Sequence, residues 1–127
     1  MQRDLNLIRK ILIKIADYQK EPPLYAENFY ELSDNKLNVD YQLRLLPEAG
    51  YIESEDTACL GDNHPYGKYD VYWLTPAGND YLSAIRNDTV WKKVLSRIVP
   101  SGGDLTLDMI KELAKTILLS QIKFPLL

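Results

Sequence analysis

Lys36, Asn38, Gln42 and Arg44 fall close together in the chain. Each carries a side chain that can pair with a base edge or a phosphate: amides match adenine, and cations match guanine or the backbone. His64 and Lys68 follow further on. Asp34 and Asp40 stand beside the first group and cancel the charge of Lys36 and Arg44. Glu53, Glu55, Asp56 and Asp62 surround the second group, against Lys68 alone. Phosphate binding draws most of its strength from neutralisation by cations, so these acids oppose it.

Other chemistry finds less to work with. Cys59, Asp62 and His64 share one loop, yet no second cluster exists to close a metal site around them. No nucleophile motif, glycine-rich phosphate loop or metal-binding helix motif is present. The expectation is a protein without catalytic residues, cofactor or metal. Tyr66, Tyr69, Tyr72 and Trp73 are concentrated around this acidic region. They read chiefly as strand packing, with a stacking surface for bases or a partner as the sharper alternative. Arg9, Lys10 and Lys14, and then Lys92, Lys93 and Arg97, read as solvated helix faces.

The chain has 127 residues, 46% of them apolar, which suits one globular core. Its net charge of −3 excludes a protein that coats nucleic acid non-specifically. A single cysteine permits no internal disulfide. Arg9, Lys10 and Lys14 interrupt the apolar residues at the start, so no secretory signal is expected. No apolar run is long enough to span a bilayer. A cytoplasmic location is expected.

Positioning falls to a helix over residues 4–18, with Leu5, Ile8, Ile11, Leu12 and Ile15 on one face, Leu7 and Tyr18 at its edge, and Asp4 as cap. Glu21-Pro22-Pro23 ends it. A short strand is expected over residues 24–26, with weak helicity after it. Ser33, Asp34, Asn35 and Asn38 mark the start of a second helix, which buries Val39, Leu43, Leu46 and Ala49. Pro47 predicts a kink or an early stop near Leu46, and Gly50 turns the chain. Residues 51–56 and 68–74 are strand candidates joined by an irregular tip. Thr75-Pro76 starts a helix that ends near Asn87. Asp88 caps the next, with Val90, Trp91, Val94, Leu95 and Ile98 on one face, until Pro100-Ser101-Gly102-Gly103 breaks it. A last helix over residues 107–122 turns Met109, Ile110, Leu113, Ala114, Ile117 and Leu118 inward, followed by the apolar Phe124-Pro125-Leu126-Leu127.

Two stretches carry a resemblance. Leu45-Leu46-Pro47-Glu48-Ala49-Gly50-Tyr51-Ile52 resembles the passage from recognition helix to wing in winged helix-turn-helix proteins. Tyr72-Trp73-Leu74-Thr75-Pro76-Ala77-Gly78-Asn79-Asp80-Tyr81-Leu82 resembles the exit from that wing. The whole chain is also similar to a narrower bacterial and phage family catalogued as a domain of unknown function. That likeness runs through Met1–Leu12, Tyr41-Gln42-Leu43, Ala49-Gly50-Tyr51-Ile52, Leu74-Thr75-Pro76-Ala77-Gly78 and Asn87-Asp88-Thr89-Val90-Trp91. Gln42 stands where that family's histidine is expected, and Pro47 interrupts a helix that is otherwise continuous. The resemblance implies an α+β fold: a winged helix over residues 1–87 with a two-stranded wing, plus two added C-terminal helices over 88–127. These pack on it, in one compact domain, or make a homodimer. It implies a small DNA-binding regulator of phage or mobile-element origin. Lys36, Asn38, Gln42, Arg44, His64 and Lys68 would then face double-stranded DNA. The competing expectation is a protein-interaction adaptor on the same fold with no DNA contact.

Overall fold

The computed structural model describes residues 1–101 and 105–121. The chain divides into two compact units, Met1–Asn79 and Asp80–Leu127. The division lies N-terminal to the boundary at residues 87 and 88 drawn from sequence.

In the first unit, helix α1 spans Leu5–Asp17. The Asp4 carboxylate caps it by accepting from the Leu7 N–H. Leu7, Ile8, Ile11, Leu12 and Ile15 are buried, so Leu7 belongs inside and Leu5 is the half-buried edge. Tyr18 already has extended backbone. The helix therefore stops before the prolines reach it. Where a short strand was expected, Leu24 alone bridges Val71, with N···O distances of 2.7 and 2.8 Å. A 3-10 helix, Ala26–Leu32, follows and buries Ala26 and Phe29. Its period of three stacks those two residues on one edge, which explains why neither the helical nor the strand period fits this segment.

Helix α2 spans Lys36–Glu48 and is capped by the Asn35 side chain, which accepts from Asn38 N at 3.2 Å. Val39, Leu43 and Leu46 are buried. Ala49 is exposed instead, because it lies past the last helical residue. Pro47 sits inside the last turn, and the helix reaches Glu48. Tyr51 N donates to Leu46 O and Gly50 N to Pro47 O, both at 3.0 Å, with Gly50 at φ 79°. That is a Schellman ending, which needs a left-handed residue at Gly50.

Strands β1, Ile52–Asp56, and β2, Tyr69–Leu74, pair antiparallel. Glu53 opposes Trp73 and Ser54 opposes Val71, leaving Tyr72 as an extra residue in a bulge. Helix α3, Pro76–Ile85, starts from Thr75, whose hydroxyl accepts from Gly78 N and donates to Gly50 O at 2.6 Å. A Cβ on Gly78 would lie 2.0 Å from Tyr51 O. The glycine is needed so that the start of α3 can approach the turn after α2.

In the second unit, α3 contributes the buried Tyr81, Leu82, Ala84 and Ile85. Helix α4 spans Asp88–Ser101 and buries Val90, Trp91 and Val94. Its cap is Asn87, which accepts from Val90 N at 3.0 Å, and not Asp88, which is already in the first turn. Helix α5, Leu107–Gln121, packs against α4 and buries Leu107, Ile110, Ala114 and Ile117. Met109 is exposed, while Leu113 and Leu118 are only half-buried. The Gly102-Gly103 turn and the apolar tail lie outside the described residues. The fold class is α+β, with a two-stranded antiparallel sheet among the described residues.

Candidate recognition surface

Two of the six candidate contact residues turn inward. Gln42 is fully buried. Its Nε2 donates to Gln2 O and to Asn38 Oδ1, each at 2.8 Å, and its Oε1 accepts from Asp4 N at 3.1 Å. Asn38 Nδ2 donates in turn to Asp4 Oδ2 at 3.0 Å. The i, i+4 spacing puts both amides on one side of α2, and that side meets the start of α1. The expected placement of Gln42 on an exposed helix face is corrected: its polar atoms are satisfied inside, where an unpaired amide would cost stability. Asn38 is half-buried and spends its side chain on the same network.

The other four lie outward, most with partners. Arg44 Nε is 3.4 Å from Glu48 Oε1. Lys68 Nζ is 3.2 Å from Glu27 Oε1. Lys36 Nζ sits 5.6 Å from the centre of the Tyr30 ring, within cation–π range. His64, half-buried in the β1–β2 loop, acts electrostatically on Glu27 and Asp40. The structure thus brings His64, Lys68, Glu27, Tyr30, Lys36 and Asp40 into one neighbourhood.

At its centre, the Tyr30 hydroxyl donates to Asp40 Oδ1 at 2.9 Å. Burial, then the hydrogen bond and charge of Asp40, push the Tyr30 hydroxyl up to about 12. Burial also raises Asp40, against the Tyr30 hydrogen bond and His64, which favour its charged form. Glu27 is held low, first by its own backbone N–H and then by Lys68. Tyr41 and Tyr66 meet edge-on at 5.0 Å and join the loop to α2. Asp62 is engaged in its own turn, accepting from Cys59 N at 2.8 Å. Among the described residues no cluster of metal ligands forms.

The outer face of the sheet holds what strand patterning alone does not reveal. Val71 and Leu74 are both buried although three apart, which a regular strand of period two does not allow. The bulge at Tyr72 shifts the phase and turns Trp73 outward, leaving it 56% exposed. The Tyr72 and Trp73 rings lie 5.7 Å apart. The Tyr72 hydroxyl donates to Glu55 Oε2 at 3.2 Å and is raised chiefly by that bond, with Asp70 and Tyr25 contributing.

The fold and this surface define a small α+β protein with an interior amide network and an acidic, aromatic sheet face. The chain belongs to the family described as "Hypothetical protein (DUF2513)", whose sequence model matches residues 2–104. That agrees with the resemblance to a domain of unknown function. The chain is also similar to a Haemophilus influenzae protein described as "Uncharacterized protein", 34% identical over 118 residues, covering 93% of this chain and 96% of the relative. No solved structure matches. Among the described residues, no helix is long and apolar enough to cross a membrane.

Proposed function

We propose that Met1–Asn79 is a winged helix-turn-helix unit that works as a protein-interaction module and not as a reader of DNA. The winged-helix part is supported by the order of elements. Helix α1 is followed by a bridge at Leu24, the 3-10 helix, α2 and the hairpin, and Leu24 gives β2 a second pairing partner beside β1. The interaction part rests on one observation: the candidate DNA face turns its two amides inward and pairs two of its three lysine and arginine residues with carboxylates. Asn38 and Gln42 hydrogen-bond inside, and Arg44 and Lys68 are paired with carboxylates. The strands carry Glu53, Glu55, Asp56 and Asp70 with no lysine or arginine. A surface of that sign repels phosphate, whose binding depends on cations that release counterions. On this reading no catalytic role is assigned.

The DNA-binding regulator keeps one support, since Lys36 and Arg44 occupy exposed positions on α2. Fluorescence anisotropy with duplex genomic fragments at about 50 mM salt separates the two. The adaptor reading predicts no saturable binding. Saturable binding that weakens steeply with salt, and is lost in Lys36→Ala with Arg44→Ala, supports the regulator instead. The homodimer reading rests on Met109 and Leu119 of α5, 52% and 60% exposed. Sedimentation velocity of Met109→Glu with Leu119→Glu tests it. A native dimer reduced to monomer supports that contact, and a native monomer excludes it.

A further inference from the structure

We propose that the outer face of the β1–β2 sheet is a docking site for a lysine- or arginine-bearing segment of another protein, with Trp73 as its anchor. The inference rests on the adaptor reading and names its surface and the chemistry of its partner. Three observations carry it.

The first is the placement of Trp73. The bulge at Tyr72 puts two consecutive aromatic residues beyond the core, and their rings lie 5.7 Å apart. Bulges re-aim side chains at functional positions. Tyr25, 51% exposed, is close enough to influence the Tyr72 hydroxyl. Exposed tryptophan and tyrosine dominate the energetics of protein interfaces, because they bury much area at little entropic cost.

The second is charge. Glu53 lies directly across from Trp73, and Glu55 across from Asp70. Elsewhere in the first unit three glutamates have cationic partners: Glu31 with Lys14, Glu48 with Arg44, Glu27 with Lys68. On the sheet face, neither strand supplies a cation. Carboxylates flanking an aromatic face complement a cation, which gains from both the ring and the acids.

The third is that the face serves no core role. Glu53, Glu55 and Trp73 are exposed, whereas Ile52, Val71 and Leu74 of the same strands are buried.

The test uses the full chain and a short fluorescein-labelled peptide of alternating arginine and glycine, with glutamine and glutamate versions of equal length. Trp91 is buried, so a change in intrinsic fluorescence on binding reports Trp73. The arginine peptide is expected to bind at least about 10-fold more tightly than the glutamine peptide, and the glutamate peptide not at all. Trp73→Ala is expected to weaken binding about 10-fold or more. Glu53→Gln with Glu55→Gln, two exposed changes that leave the core intact, is expected to weaken it several-fold and flatten its salt dependence. Equal binding of the three peptides, or arginine-peptide binding unchanged in both variants, overturns the proposal. A self-association that Trp73→Ala abolishes overturns the commitment to another protein and makes a second copy the occupant. Salt-sensitive duplex DNA binding that survives both variants overturns the adaptor reading, whatever the peptides do.

Discussion

The inner side of α2 and the outer face of the sheet assign opposite jobs to residues whose types suggest the reverse. Asn38 and Gln42 are the amides that a DNA-reading helix would present, and here they fasten the start of α1 from inside. Trp73 is the aromatic residue that a regular strand with Val71 inside would bury, and here it lies exposed beside the half-buried Tyr72. Burial decides between the two uses of a side chain. A polar group that is buried and fully paired is holding the fold together. A large aromatic residue left in solvent has given up its hydrophobic stabilisation at that position.

The strongest way to break this contrast is to remove the amide. Gln42→Leu keeps similar volume but leaves Asp4 N–H and Gln2 C=O without their partner, so stability should fall by about 2–3 kcal/mol. Urea denaturation measures it, and a loss near zero would return Gln42 to the list of surface readers. Tyr30→Phe is expected to cost about 1–2 kcal/mol at neutral pH, because Asp40 loses the hydroxyl that satisfies it. The same pair has a pH signature. The Tyr30 hydroxyl is raised in the folded state, so its contribution is complete below pH 10 and is lost as pH rises through about 12. Asp40 is also raised, and its contribution declines as pH rises from the ordinary carboxyl range through the shifted value. Ultraviolet titration should include a tyrosine step near pH 12, and Tyr30→Phe should remove one tyrosine's share of that late absorbance.

The smaller effects sharpen the other half. Trp73→Ala should change stability far less than Gln42→Leu, by about 0.5 kcal/mol, as expected for an exposed side chain away from packed features. Arg44→Ala removes only an exposed ion pair and should lower the unfolding free energy measured in urea by no more than about 0.5 kcal/mol. A large loss at either position would mean that it is structural after all.

Much of the architecture is legible in the residues. The Asp4 cap, the Asn35 region that starts α2, the turn at Gly50 and the Thr75-Pro76 start of α3 all follow from local chemistry. Local rules fail where a distant partner decides. Gln42 looks free until α1 is placed beside α2, since its partners Gln2 and Asp4 lie at the far end of the sequence. The Tyr72 bulge leaves no mark in a run of aromatic and β-branched residues, because it is set by register against β1. Ala26–Leu32 reads as only weakly helical because its period is three. Membership of the family was legible across most of the chain, and residues 2–104 carry it.

The central claim is that the sheet face, and not α2, is the recognition surface. Amide chemical-shift mapping of the full chain, with the arginine peptide and duplex DNA added in separate titrations, tests this most directly. The account predicts that the peptide moves signals from Glu53, Glu55, Tyr72 and Trp73, and that DNA at low salt moves none to saturation. Saturable shifts on DNA addition centred on Lys36 and Arg44, with the sheet face silent to the peptide, would contradict it.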